Sequence, residues 1–384
     1  MTFDLRFWRP FVYASAALLL VFGITTMREP GRGFTKIIHF GTSFAGQQLP
    51  VVKRLRVALT PGAGYDGQFY AQLAVTPNVQ SPEVRVAMDD LRYRGQRILL
   101  PVIAHVLGAG DPWWILQIYA LLNVVCWAVL AWLLHGLTAS RGYAGLLCWV
   151  VVMFSLAVLE NVHLALTDLP AALSIVAALV CLQRDWLWRA GCFLSLAGLV
   201  RETSLLAALA LMPVAWRDFA IWRKRIGPLL LAILPVCFWY LYLRLCTPAT
   251  GPLGGVANFD WPGLALLHEL NVCAQAIIQG EAHYRHIFAP LAAAGFAYQS
   301  FAILRTSVTA PTTWALMGAP FAVLFWFLGE NVWEGYWAVA RACLPMTIAY
   351  CLIIPSDRYF IWRLLLPNLC LVHAIQRFLS PATQ

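Results

Sequence analysis

A lone carboxylate between two glycines, in Gly64-Tyr65-Asp66-Gly67-Gln68-Phe69-Tyr70, is the strongest candidate for chemistry in this 384-residue chain. The glycines let other backbone or a substrate come close. Tyr65, Gln68 and Tyr70 add ring faces and an amide that suit a sugar or a lipid. Asp66 also fits as the cap of the short helix that GQFYAQLA predicts, so the residues alone leave both roles open. A second group follows at Met88-Asp89-Asp90-Leu-Arg92-Tyr-Arg94-Gly-Gln96-Arg97. Three arginines at spacings of two and three can converge on a phosphate, which a planar guanidinium grips by paired hydrogen bonds. They equally suit a basic segment lying on anionic lipid.

Further along, Arg201 and Glu202 sit in the middle of the apolar stretch 190–215. Adjacent charges at membrane depth are costly unless they pair or line a polar cavity. Glu160, His163 and Asp168 flank a short loop. Asp168, two residues before Pro170, fits a helix N-cap. Glu160 is expected at a helix C-terminus, where the macrodipole disfavours a carboxylate. Arg201, a metal or a substrate hydroxyl could compensate it. Glu281, His283 and His286 have ligand-like types, but their spacing fits no zinc motif. Arg341, Glu330, Asn331 and Glu334 are expected at the ends of late helices, with Arg341 a polar contact inside the bundle.

Those side chains need a scaffold, and composition says which kind. Apolar residues make up 61% of the chain and charged residues 12%, against roughly 25% charged in a soluble domain. An all-α polytopic membrane protein is the expected class. The net charge of +9 suits inner loops and phosphate or lipid contacts better than nucleic acid, because no basic run has the length or the interleaved aromatics of a nucleic-acid surface. The ten cysteines lack any C-x-x-C pair and read as small core residues. The N-terminal apolar run lacks a small-residue cleavage site and is read as an uncleaved span.

Apolar runs predict about nine spans, at 11–27, 113–136, 143–160, 168–183, 226–246, 286–304, 312–329, 336–354 and 360–379, in one transmembrane domain covering 1–384. The segment 190–215 is expected to enter and return as a re-entrant hairpin. With the N-terminus inside, Arg141, Arg184, Arg189, Arg217 to Arg225, Arg305 and Arg358 then share the inner side. A single crossing would invert every later loop. Two long outer segments remain, 28–112 and 247–285. Within the first, Leu91–Leu107 reads as a basic, apolar segment on the membrane surface.

The chain resembles the GT-C superfamily of integral-membrane glycosyltransferases, which use polyprenyl-phosphate-linked sugars, and is similar to its bacterial members. The likeness rests on Tyr65-Asp66-Gly67-Gln68-Phe69-Tyr70 and on Tyr93-Arg94-Gly95-Gln96-Arg97-Ile98-Leu99-Leu100-Pro101. Thr167-Asp168-Leu-Pro170, Leu199-Val200-Arg201-Glu202-Thr203 and Arg341-Ala-Cys-Leu-Pro345 add to it. The resemblance implies a GT-C-like bundle with interfacial helices in the first outer loop, sited in the cell's inner (plasma) membrane with its active site outside. It implies Asp66 as catalytic base, and Glu160 or Asp168 as a second acidic residue. The usual paired acidic motif is absent around Asp66; Asp89-Asp90 is the adjacent pair in that loop. On this reading Arg94, Arg97 and Arg201 bind the donor phosphate. Glu160, Asp168, Glu202 and His163 are candidates for a second acidic or acceptor site. Tyr65, Gln68 and Tyr70 line the substrate, and the acceptor is a glycan, lipid or protein hydroxyl. No cofactor is required, although a divalent cation bridging Asp66 and Glu160 is compatible with the residues. The alternative is a transporter or flippase of a lipid-linked substrate. Transporters usually repeat their broken helices in two halves, and here there is one break and no repeat.

Overall fold

The computed structural model describes residues 5–212, 219–247, 255–281 and 283–379. Arg217, the last residues of the 190–215 segment and the Gly/Pro-rich stretch 248–254 lie outside them. Of the described residues 77% are helical; Phe40–Gly41 and Leu59–Thr60 add one two-residue parallel strand pair.

By length and composition four stretches can cross a membrane: Trp8–Thr25, Pro112–Met153, Trp222–Cys246 and Tyr284–Thr309. A fifth is the pair Tyr336–Ala342 and Leu344–Ile353, bent by 62° at Cys343 with Pro345 in the first turn of the second helix. The 42-residue stretch Pro112–Met153 is not one rod. Its two helices, Pro112–Thr138 and Gly142–Met153, fold back on each other. Trp149 donates from its indole to the Ala131 carbonyl at 2.8 Å, and Trp127 donates to that of Met153 at 3.2 Å.

Other expected spans are shorter or interrupted. The 143–160 run stops at Met153 and restarts at Leu156, with the Ser155 hydroxyl accepting the Val158 amide. The 312–329 run is the 14-residue helix Thr313–Trp326. The 360–379 run is divided into Phe360–Leu365, the 3-10 turn Leu366–Asn368 and Leu371–Leu379. Apolar length alone does not register Ser155, Pro345 or Pro367 as breaks.

The helix Leu187–Val200 ends at Arg201, whose backbone is extended, and a 3-10 segment Glu202–Leu211 follows. Three contacts fix the course. A Cβ on Gly191 would fall 2.5 Å from the Pro228 carbonyl oxygen, and one on Gly227 would fall 2.7 Å from the Trp188 ring. The helix Phe219–Cys246 therefore runs alongside Leu187–Val200 in the same direction. Arg225, near its start, donates to the carbonyls of Leu211 and Met212, so the chain has come back by residue 212 to the level of residue 188. It doubles back at the Arg201–Glu202 break.

Between residues 28 and 112 the chain is built of short helices. Leu91–Arg94 and Leu99–Leu107 replace the single surface segment expected there. Arg94 and Arg97 are buried rather than turned to headgroups, because carboxylates in the interior engage them.

Candidate active site

Asp66 stands at the start of the helix Gly67–Val75, but its side chain caps nothing. Its place is set by the turn before it. Gly64 has φ +70, and a Cβ there would lie 2.4 Å from both the Gly41 nitrogen and the His39 carbonyl oxygen. Tyr65 donates its amide to His39 at 3.0 Å. Gln68, 1% exposed, accepts from the Gly41 amide at 3.0 Å and donates to the Ala63 carbonyl at 2.8 Å. Both ends of its amide therefore serve this turn, and Gln68 also lines the cavity described below. With capping excluded, the Asp66 carboxylate turns to Arg94, 3.0 Å away.

Arg94 serves two carboxylates. Its Nη1 meets Asp66, while Nε and Nη2 grip Asp89 at 2.9 and 2.6 Å. Asp90 accepts the Tyr93 amide and caps the helix Leu91–Arg94. Arg97 holds Glu202 by two bonds of 2.9 and 2.6 Å and also donates to the hydroxyls of Tyr70 and Tyr93. Both guanidiniums lie over aromatic rings, Arg94 4.9 Å from the Phe69 centroid and Arg97 4.9 Å from that of Tyr93. Such contacts stabilise a cation where water is scarce. Tyr70, 0% exposed, lies behind the arginines rather than on a substrate surface.

The opposite wall reverses this pattern. Asp168, in the first turn of the helix Asp168–Gln183, is 3% exposed. Thr167, not Asp168, occupies the N-cap. The turn before it is pinned by Leu169 donating to the Asn161 side chain, Tyr119 to the Ala165 carbonyl and Asn123 to that of Leu166. The carboxylate pairs with Arg201 from the break of the hairpin, and lies 3.8 Å from Arg341 at the bend of the late helix pair. Arg201 also donates to the Thr203 hydroxyl. Arg341 lies over the Tyr65 ring at 5.3 Å, and its buried Nε has no hydrogen-bond partner.

These side chains surround one cavity of about 940 Å³. Asp66, Asp89, Arg94, Arg97, Arg201, Glu202 and Arg341 line it, with Tyr65, Trp337 and Asn258. Phe259, Leu324, Leu328, Val332 and Ala338 give it an apolar side. Burial raises the Asp66 pKa, but Arg94, Arg341 and Arg97 outweigh it and hold the carboxyl below its ordinary value. Burial pushes the Tyr65 hydroxyl up, so it stays protonated at neutral pH.

Glu160 and His163 do not reach this cavity. Glu160 is compensated by Arg377, whose Nε lies 2.9 Å away and whose guanidinium sits over Trp337. His163 is buried edge-on against His39, with 5.2 Å between ring centroids. Burial, with Lys36 and Arg377 nearby, lowers His39 to about 4. Arg377 engages the Oε1 of Glu160, the residue expected to share a cation with Asp66. Among the described residues no group of three or more His, Cys, Asp or Glu side chains could hold a metal. His283 and His286 instead bond to each other's backbone at the start of the helix Tyr284–Thr309. Arg377 was not foreseen, although it is a charge in an apolar run, the signal that singled out Arg201. No family model, no curated protein and no solved structure matches this chain.

Proposed function

We propose that the protein is a membrane glycosyltransferase that moves a sugar from a polyprenyl-phosphate donor to an acceptor hydroxyl, with Asp66 as the base. One observation carries the reading. The ionised Asp66 carboxylate lines a large cavity that also holds guanidiniums, and one side of that cavity is apolar.

The chemistry asks for little more. Phosphate is already a good leaving group, so departure of the donor needs cations on the developing charge rather than a proton. The acceptor hydroxyl needs a base within reach. In the proposed step the acceptor oxygen bonds to the anomeric carbon and its proton passes to Asp66. The bond from that carbon to the phosphate oxygen breaks, and its electron pair leaves on the lipid phosphate. One displacement at that carbon inverts it. A carboxyl held below its ordinary pKa is a weak base. It is therefore expected to take the proton late, once the new bond has made the hydroxyl acidic. Arg94 keeps it ionised and aimed.

Purified protein supplied with polyprenyl-phosphate sugars tests this. Turnover should fall about 10²–10⁴-fold in Asp66→Asn, the usual worth of a general base. Lipid movement with every glycosidic bond intact would replace the reading with that of a transporter.

A further inference from the structure

Arg94 stands between two carboxylates, Asp66 and Asp89, a trio of net charge −1. Arg97 and Glu202 cancel. Asp168 stands between two guanidiniums, Arg201 and Arg341, a trio of net charge +1. The four arginines are thus far from equivalent. A phosphate approaching Arg94 meets two carboxylates first, and one approaching Arg97 must displace a two-bond grip on Glu202. At the third trio an anion finds positive charge in excess. It also finds an unused donor, since Arg341 is 9% exposed and its Nε has no partner. A buried donor without a partner favours a ligand that supplies the acceptor.

We infer that Arg201 and Arg341, set by their shared Asp168, form the seat for the phosphate group of an amphiphile, and that Arg94 and Arg97 hold the site's carboxylates instead. This deepens the proposed function and rests on it only for the identity of the lipid. The amphiphile follows from the apolar residues Leu324, Leu328 and Val332 lining the same cavity. Arg201 comes from a doubled-back segment and Arg341 from a bent helix pair, so the seat also ties two breaks in the fold together. Asp168 is a positioning residue that does not itself line the cavity.

Binding tests this without turnover. The full chain in detergent is titrated with farnesyl phosphate, farnesol and inorganic phosphate, following heat or tryptophan emission. Farnesyl phosphate should bind at least ten-fold more tightly than farnesol. Arg341→Gln should remove that preference while leaving farnesol affinity unchanged, and Arg341→Lys should restore part of it. Arg363→Gln, which deletes the same charge from an exposed pair with Asp357, should bind as the parent does. Farnesyl phosphate binding ten-fold more tightly than inorganic phosphate assigns the seat to a lipid headgroup. Equal affinities assign the same seat to soluble phosphate and overturn the amphiphile. Unchanged phosphate preference in a folded Arg341→Gln protein overturns the seat itself. Should that variant fail to fold, Arg341→Lys decides, since a point charge without the planar fork should still weaken binding measurably. Phosphate binding that persists where no sugar is ever transferred would sink the glycosyltransferase reading and leave the seat standing.

Discussion

Asp66 owes its state to its neighbours. Burial works against the charged form, and the arginines more than reverse it. The folded pKa is therefore below the ordinary value of about 3.9, and the carboxylate is present throughout the neutral range. Activity should stay flat on the acid side until pH falls beneath that value. Arg94→Gln removes the nearest cation and leaves Asp66 beside Asp89. The acid limb should then move up by about 1–3 pH units, the usual effect of one close opposite charge. A pH–rate profile of both proteins measures this, and an unmoved limb would mean that Asp66 is not the titrating group. The residue types were legible in the sequence, but their pairing was not. Arg201 and Glu202 are adjacent in the chain and engage Asp168 and Arg97 rather than each other.

Two elements set the site, and each depends on a break. The turn before Asp66 relies on the left-handed backbone of Gly64 and on its contact with Gly41. Gly64→Ala adds a methyl where the structure has backbone at 2.4 Å, with a positive-φ strain of about 1–3 kcal/mol besides. Turnover and melting temperature should both fall, whereas Gly62→Ala should cost only the strain, since nothing lies within 4 Å there. Comparable losses in the two variants would mean that the Gly41 contact is unimportant. The second break, at Arg201, could be placed from the sequence because a charge pair interrupts an apolar run. The breaks at Ser155 and Cys343 could not. A serine or a proline in an apolar run is compatible with a continuous helix until neighbouring packing decides.

At the scale of the molecule, the hairpin determines which loops share a side. Arg189 and Lys224 are both exposed and lie near the starts of two helices that run in one direction. Cysteines introduced at these positions, with the exposed Cys192 and Cys237 replaced by serine, should react with a membrane-impermeant reagent from the same face. Labelling from opposite faces would require Leu187–Leu211 to cross once, and the proposed site would then lose Arg201. The same topology brings residues 66, 201 and 341 around one cavity, with Asp168 behind two of them, although they span most of the chain.

Composition and the spacing of apolar residues determined the class of this protein, a helical chain with segments able to cross a membrane, because burial in lipid or in a bundle demands apolar side chains whatever the partners. Sequence also located the charges that such surroundings would not tolerate unpaired. Only the tertiary structure decided which carboxylate answers which guanidinium. That choice is made by distance and leftover charge among segments that the fold brings together, and neither quantity is written in any local stretch of the chain.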